Sequence, residues 1–280
     1  MKDYLFGIAN SRKVPIPPSA PVRTMAEWEQ IQALIITWSG QTAILREIVR
    51  NAVKECKVLI VTNSPTNVES TLSNAGISLD SVVFINAPFN SIWVRDYGPW
   101  TVYKNDVDSL WITDWIYNRP RAQDDAVPTA IANYLGLPIF EATQFPNDWV
   151  HTGGNHLPDG LGTLFSSRLV LEENPGKTEA MIDSIANLFL GVKQYIKFPT
   201  LPFDGIHHLD MHMRLIDEET IIFGQYPDGV ADGPQIEENI QYLLDSFKTS
   251  FGHDFKIVRL PMPPENNRFP DQGGDYRTYT

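Results

Sequence analysis

The sequence predicts an α/β fold in which a strand–helix–strand module recurs four times. Short apolar or β-branched runs alternate with longer segments of helical periodicity. Each closing strand runs into a proline, namely Pro88, Pro146, Pro199 and Pro261. No Gly-x-Gly-x-x-Gly motif opens a helix after a strand, which disfavours the nucleotide-binding form of a doubly wound sheet. We therefore predict an α/β propeller, with its modules arranged around an axis.

The first module begins with the predicted strand 33–38, continues through a helix at 41–56 and closes with the strand 57–63. A further helix and the strand 81–87 follow. The apolar residues of the first helix recur at helical spacing and predict one inward face, made of Ile44, Leu45, Ile48, Val49, Ala52 and Val53.

The other three modules repeat this order. Their opening strands are predicted at 109–117, 161–171 and 220–226, and their closing strands at 138–145, 194–198 and 255–260. Gly136 and Gly191 end the second and third helices, and Pro234 opens the fourth. The inward residues of these last two helices are predicted to be Met181, Ile182, Ile185, Leu188 and Phe189, and Ile236, Ile240, Leu243, Leu244 and Phe247.

Composition limits the classes of function. A 280-residue chain with 42% hydrophobic residues has the composition of a compact globular protein and is long enough for one large domain or two small ones. The net charge of -12 disfavours nucleic acid and anionic membranes as partners. No run resembles a signal peptide or a membrane span, and Cys56 is the one cysteine. These features favour a cytoplasmic location, with a trimmed secreted chain as the alternative.

Polar clusters follow the first three prolines, at WVRDYGPW (93–100), HTGGN (151–155) and HHLDMH (207–212). Equivalent positions in a repeated unit tend to lie at equivalent places in space. If the modules surround an axis, the three clusters converge on one centre. The sequence therefore predicts a composite site.

The first two clusters each allow two interpretations. Asp96 lies among aromatic residues, and a carboxylate beside aromatic faces suits a planar guanidinium. The alternative is a structural pair of Arg95 and Asp96 in an aromatic turn. Gly153 and Gly154 allow close approach of a ligand to the backbone, or simply form a tight turn.

The histidine cluster allows three interpretations. If it is a strand, His208, Asp210, His212 and Arg214 share one face. The first three could hold a metal, but the cation of Arg214 on the same face argues against it. A His–carboxylate pair could instead transfer protons, or the histidines could be solvated. We predict no metal and no cofactor.

Arg119 and Arg121 flank Pro120 in the segment YNRPRAQDD (117–125). Proline favours an extended chain, so both arginines could project to a similar side and clamp a carboxylate or phosphate. The alternative is a solvated loop whose charge Asp124 and Asp125 balance.

Four ordered motifs, SIWVRDYGPW, IYNRPRAQDD, HTGGNHLPDG and HHLDM, resemble the guanidino-group-modifying (pentein) superfamily. The chain looks most like the bacterial peptidylarginine deiminase and agmatine deiminase family, from about Pro21 to its end. This resemblance implies a pseudo-fivefold α/β propeller with about four of five blades present. It also implies hydrolysis of a guanidinium to a ureido group and ammonia through a Cys-thiouronium intermediate, without metal.

The resemblance assigns roles by motif. Asp96 and Asp210 match the carboxylates that bind the guanidinium nitrogens. His208 matches the general acid/base, and Trp93 matches the aromatic residue that packs against the substrate. The residues that line the site are Gly153, Gly154 and Asn155. The segment with Arg119 and Arg121 matches a carboxylate clamp, which favours a peptide ending in arginine or a related guanidino acid over agmatine. An agmatine deiminase, forming N-carbamoylputrescine for putrescine biosynthesis, and a non-catalytic binding protein are the alternatives.

The catalytic cysteine of the family lies in the fifth module, near the C-terminus. No counterpart is present here, and Cys56 ends a helix of the first module. With the resemblance, we therefore expect a single deiminase-like catalytic domain over 1–280 that is incomplete at its C-terminus and does not turn substrate over. We also expect exposed edges that favour self-association.

Overall fold

The computed structural model describes residues 13–14 and 16–276. Its strands are β1 (Lys13–Val14), β2 (Val22–Thr24), β3 (Ala33–Thr37), β4 (Lys57–Thr62), β5 (Val82–Asn86), β6 (Trp100–Lys104), β7 (Ser109–Tyr117), β8 (Ile139–Ala142), β9 (Val150–His151), β10 (Leu157–Pro158), β11 (Thr163–Ser167), β12 (Gln194–Phe198), β13 (Met213–Leu215), β14 (Thr220–Gln225) and β15 (Lys256–Pro261). Its α-helices are α1 (Thr42–Ala52), α2 (Pro65–Asn74), α3 (Val94–Tyr97), α4 (Ala122–Asp125), α5 (Val127–Leu135), α6 (Leu169–Glu172), α7 (Glu179–Leu190) and α8 (Gly233–Ser246). Short 3₁₀ turns cover Gly153–Asn155, Leu209–Met211 and Pro270–Gln272. None of the helices in this part of the chain is long and apolar enough to span a membrane.

Contacts between Cα atoms divide the chain into two compact units. The described residues of the first unit extend to Pro17 and include Glu29–Thr101 and Leu110–Asp148. The second unit contains Pro18–Trp28, Val102–Ser109 and the chain from Trp149 onward. The single-domain prediction stays a prediction.

The first unit contains the first two modules. Strands β3, β4 and β5 form a parallel sheet with β4 in the middle, and β7 and β8 pair in parallel with α5 between them along the chain. Because side chains alternate across a strand, Val58 and Ile60 pack with the apolar residues of α1 and α2, while Leu59 and Val61 pack with Tyr97, Tyr117 and Ile131. Both faces of this sheet are therefore covered.

The second unit contains the third and fourth modules, which have the same topology. In each, a short strand pairs antiparallel with the middle strand, and a helix leads from that strand to a parallel neighbour. The rings of Phe165, Phe198 and Phe223 join the two sheets in one core, with centroids 6.3 Å and 6.0 Å apart in successive pairs. All four predicted modules are thus confirmed.

Some boundaries and faces were predicted wrongly. The predicted strand 161–171 ends at Ser167, and α6 follows it. Ile44, Ile48, Met181 and Leu188 are exposed, although their helices bury the neighbouring positions. A helix that packs on one sheet buries only part of its apolar arc, so the predicted stripes were too wide.

Candidate active site

The first unit contains Trp93 and Asp96 at the short helix α3. Trp93 precedes the helix and is 57% exposed, whereas Asp96 lies within it. The guanidinium carbon of Arg95 lies 5.9 Å from the centre of the Trp100 ring, a cation–π distance. The role of Trp93 and Asp96 as a surface for a planar cation stays a prediction.

The buried Tyr97 side chain connects α3 to the rest of the first unit by hydrogen bonds. Its buried hydroxyl donates to the carbonyl of Ser91 at 2.8 Å and lies 2.6 Å from Thr37 Oγ1. Burial raises the pKa of Tyr97 well above its ordinary value, so the phenol remains a donor at all working pH values.

Asp124 fixes the loop that leads into α3. Its carboxylate is fully buried and accepts from Asn90 N at 2.6 Å, Ser91 N at 3.0 Å and Ser91 Oγ at 2.7 Å. Sequence reasoning treated Asp124 only as a charge that balances arginines. The structure instead makes it the link between the segments around Asp96 and Arg121.

Tyr117 connects Asp96 electrostatically with Arg121. Arg121 Nη1 donates to Tyr117 Oη at 3.4 Å. Burial raises the pKa of Tyr117 to about 12, with the Asp96 charge raising it further and the Arg121 charge lowering it. A carboxylate and a guanidinium therefore act on the same hydroxyl. The side chain of Arg119 is exposed.

The second unit contains the other predicted residues. Gly153, Gly154 and Asn155 form a buried 3₁₀ turn, and His208 is nearly buried. Asp210 lines a cavity of about 210 Å³ together with Arg214, Ile216, Ile222 and Leu260, among others.

The prediction that the histidine cluster is a strand is wrong. His207 has a φ of +60°, Leu209–Met211 is a 3₁₀ turn, and extended structure begins only at Met213. Side chains of a 3₁₀ turn do not alternate between two faces, so the strand pairing of these residues is lost. Asp210, His212 and Arg214, three of the four residues predicted to share a face, nevertheless line the same cavity. Within residues 13–14 and 16–276, no three His, Cys, Asp or Glu side chains are arranged to hold a metal ion.

A buried imidazole pair was missed by the sequence reasoning. His151 Nε2 lies 3.0 Å from His156 Nδ1, and the His151 ring stacks on Trp149 with centroids 4.5 Å apart. Burial, with a contribution from the His208 charge, lowers the pKa of His151 to about 3. His151 is therefore neutral at physiological pH. The run HTGGNH gives no periodic signal for this contact.

We expect acid to destabilise the second unit through its buried histidines. Burial lowers the pKa of His212 to about 4, and neither ring nitrogen has a hydrogen-bond partner among the described residues. An unfolded histidine takes up its proton near pH 6.5, so stability is complete above that pH and falls progressively towards pH 4. For His212 the loss is on the order of 2–3 kcal/mol at pH 4, at about 1.4 kcal/mol per pKa unit.

Urea unfolding between pH 7.5 and 4 would measure this loss. His212→Leu should flatten the pH dependence without loss of stability at pH 7.5, because it removes a buried ring without partners. Asp232 acts in the opposite direction, because burial raises its pKa to about 6 and its protonation between pH 6 and 4 stabilises the fold. Met181→Leu, at an exposed position of the same unit that carries no titrating group, is the control. An unchanged slope in His212→Leu would contradict the prediction.

The comparison with known families identifies the chain. The family model described as Porphyromonas-type peptidyl-arginine deiminase matches residues 23–279. The chain belongs to this family. The motif-based assignment to the peptidylarginine and agmatine deiminases is thereby confirmed.

Individual relatives agree with the family. A Vibrio parahaemolyticus protein provisionally named an agmatine deiminase is 27% identical over 199 residues. That alignment covers 65% of this chain and 53% of the relative, so the chain spans about half the relative's length. A solved arginine deiminase candidate from Porphyromonas gingivalis has a TM-score of 0.76 at 19% identity, over 92% of this chain and 81% of that one.

A second solved structure is the agmatine deiminase of C. jejuni, as a cysteine-to-serine variant with substrate bound. It has a TM-score of 0.73 at 21% identity, over 92% of this chain and 78% of that one. These likenesses confirm the predicted propeller-like pentein fold. They do not test the predicted site residues, whose convergence on one guanidinium stays a prediction.

Proposed function

We propose that this chain contributes the substrate-binding and acid/base parts of a deiminase for peptides that end in arginine. The observation that carries this proposal is the pair of opposite charges around Tyr117. Asp96 suits the guanidinium end of such a substrate, and Arg121 suits its carboxylate end. Agmatine has a guanidinium and no carboxylate, so it leaves Arg121 without a ligand.

Each residue has a proposed role in the reaction. A cysteine thiolate bonds to the guanidinium carbon of the substrate. Asp96 and Asp210 accept hydrogen bonds from the guanidinium nitrogens, and the Trp93 ring packs on the flat face of the guanidinium. The C–N bond breaks, and ammonia leaves with a proton from His208. His208 then takes a proton from water, the resulting hydroxide adds to the carbon, and the C–S bond breaks to give the ureido product. Arg119 assists Arg121, and the turn of Gly153 and Gly154 borders the substrate.

The proposed reaction needs a nucleophile other than the single cysteine of this sequence. Cys56 follows α1 and immediately precedes β4, so it lies at the edge of the parallel sheet where the strands begin, whereas Trp93 and Asp96 follow the end of β5. A cysteine-to-serine variant is the form in which the C. jejuni relative was solved with substrate, which supports a cysteine in that role. We therefore propose that the 280-residue polypeptide binds guanidino ligands without turning them over.

An open sheet face supports the proposal of an incomplete domain. In the fourth module β14 alternates between buried and partly exposed residues, and Ile216 and Val258 are exposed, whereas β11 of the third module is buried throughout. The cavity beside Asp210 lies on this face. We propose that a further module covers it and carries the nucleophile; a second copy of the chain could also associate there.

Binding and turnover can be tested together. We expect a short peptide ending in arginine to bind more tightly than agmatine, measured by calorimetry, and neither to release ammonia. Arg121→Gln should weaken peptide binding about tenfold or more, the equivalent of 1.4 kcal/mol, and leave agmatine binding unchanged. Lys54→Gln, at an exposed position of the first unit just after α1, is the control.

Two results would overturn parts of this proposal. Equal affinity for both ligands, unaffected by Arg121→Gln, would remove the clamp and favour the agmatine deiminase alternative, which the names of the Vibrio and C. jejuni relatives support. Ammonia release that Asp96→Ala abolishes would show that the chain is catalytically complete. No binding of either ligand would contradict the guanidino site itself.

A further inference from the structure

The backbone immediately before His208 is strained. His207 is a non-glycine residue with a φ of +60°, in the left-handed region that costs an ordinary side chain roughly 1–2 kcal/mol. Such a conformation persists only where surrounding contacts determine it, and it often lies beside functional groups. The contacts that hold His207 are therefore informative about His208.

Two side chains hold the residues on either side of His208. Ser167 Oγ donates to the carbonyl of His207 at 2.5 Å, and Leu209 N donates to Asn155 Oδ1 at 3.3 Å. The two are also joined to each other, because Ser167 N donates to the same Asn155 oxygen at 2.7 Å and Asn155 Nδ2 reaches Ser167 O at 3.4 Å. His208 thus lies between two fixed backbone groups.

Burial makes these bonds hard to replace. Asn155, Ser167 and His208 are each at most 5% exposed, so water has little access to the carbonyl or amide if a side chain is removed. Asn155 was predicted to line the substrate site. That role stays a prediction, and the structure shows that the Asn155 side chain bonds to the backbone of Ser167 and Leu209.

We propose that Ser167, together with Asn155, is a positioning residue for His208. This inference rests on the proposed role of His208 as acid/base. With Ser167 holding the His207 carbonyl, residue 207 stays in its left-handed conformation, which fixes the direction of the His208 Cα–Cβ bond. Without the Ser167 hydroxyl, His207 relaxes to an ordinary negative φ. The direction of the His208 Cα–Cβ bond then changes, and the His208 imidazole leaves its position.

Histidine NMR on the full chain tests this inference without ligand. The chain has six histidines, and His208→Gln assigns the signal of interest. We expect Ser167→Ala to move the His208 ring signal and shift its titration midpoint by at least about half a pH unit. Ser250→Ala removes another serine hydroxyl bond of the same unit, from Ser250 Oγ to Asp159 at 2.8 Å, and should leave His208 unchanged.

A glycine rescue separates positioning from general stability. Glycine adopts a positive φ without steric cost, so His207→Gly combined with Ser167→Ala should return the His208 signal towards the parent position. If Ser167→Ala does not fold, Ser167→Thr and Ser167→Cys give the same comparison with the donor kept or weakened. A parent-like His208 signal in folded Ser167→Ala, or in Ser167→Cys, would overturn the inference. Because no ligand is present, this outcome is independent of whether guanidino compounds bind.

Discussion

Asp124→Ala is expected to lower the free energy of unfolding by at least about 3 kcal/mol. The change leaves three donors, the amides of Asn90 and Ser91 and the Ser91 hydroxyl, without their acceptor. Asp124 is fully buried, so water does not readily replace it, and each orphaned buried donor costs about 1–3 kcal/mol. Urea denaturation followed by tryptophan fluorescence measures the loss.

Two variants make the Asp124 result specific. Asp124→Asn retains the Oδ1 acceptor for both amides and places an amide near a hydroxyl that can accept, so it should cost less than half as much. Asp108→Ala removes an exposed carboxylate bonded to Asn105 and should cost under about 1 kcal/mol. Equal losses for alanine and asparagine at position 124 would indicate that the hydrogen bonds are not the cause.

The same substitution should also affect ligand binding. Asn90 and Ser91 lead directly into the segment with Trp93 and Asp96, so a displaced loop moves both proposed substrate contacts. A variant that remains folded at low temperature should therefore bind an arginine peptide more weakly than the parent. This effect distinguishes Asp124 from a purely structural carboxylate elsewhere in the fold.

Periodicity predicted the modules because each element buries a continuous apolar face. The strand 109–117 was predicted to the residue, and the helix ends at Gly136 and Gly191 are left-handed caps. These features depend on residues near one another in the chain, which sequence patterns report directly.

The histidine cluster could not be predicted in the same way. HHLDMH alternates like a strand, yet its conformation depends on Ser167 and Asn155, which lie 40 and 54 residues away from their backbone partners. A side chain that bonds a distant backbone group leaves no periodic signal. Asp124 was overlooked for the same reason, since its partners are 33 and 34 residues earlier.

Gly191→Ala is expected to destabilise the second unit by at least about 3 kcal/mol. Gly191 ends α7 with a φ of +73°, and its amide donates to Asn187 O at 3.0 Å. A Cβ there would lie 1.8 Å from the carbonyl oxygen of Val22 in β2. The cost therefore combines left-handed strain with a forced separation of α7 from β2.

Gly252→Ala separates these two contributions. Gly252 also has a positive φ, +81°, but a Cβ there meets no atom within 4 Å. It should therefore cost only the conformational strain, about 1–2 kcal/mol. Thermal unfolding of both variants measures the difference, which isolates the contact between α7 and β2. Similar losses of stability for Gly191→Ala and Gly252→Ala would mean that β2 moves aside without an energetic cost. The close approach of Gly191 to Val22 would then not constrain the fold.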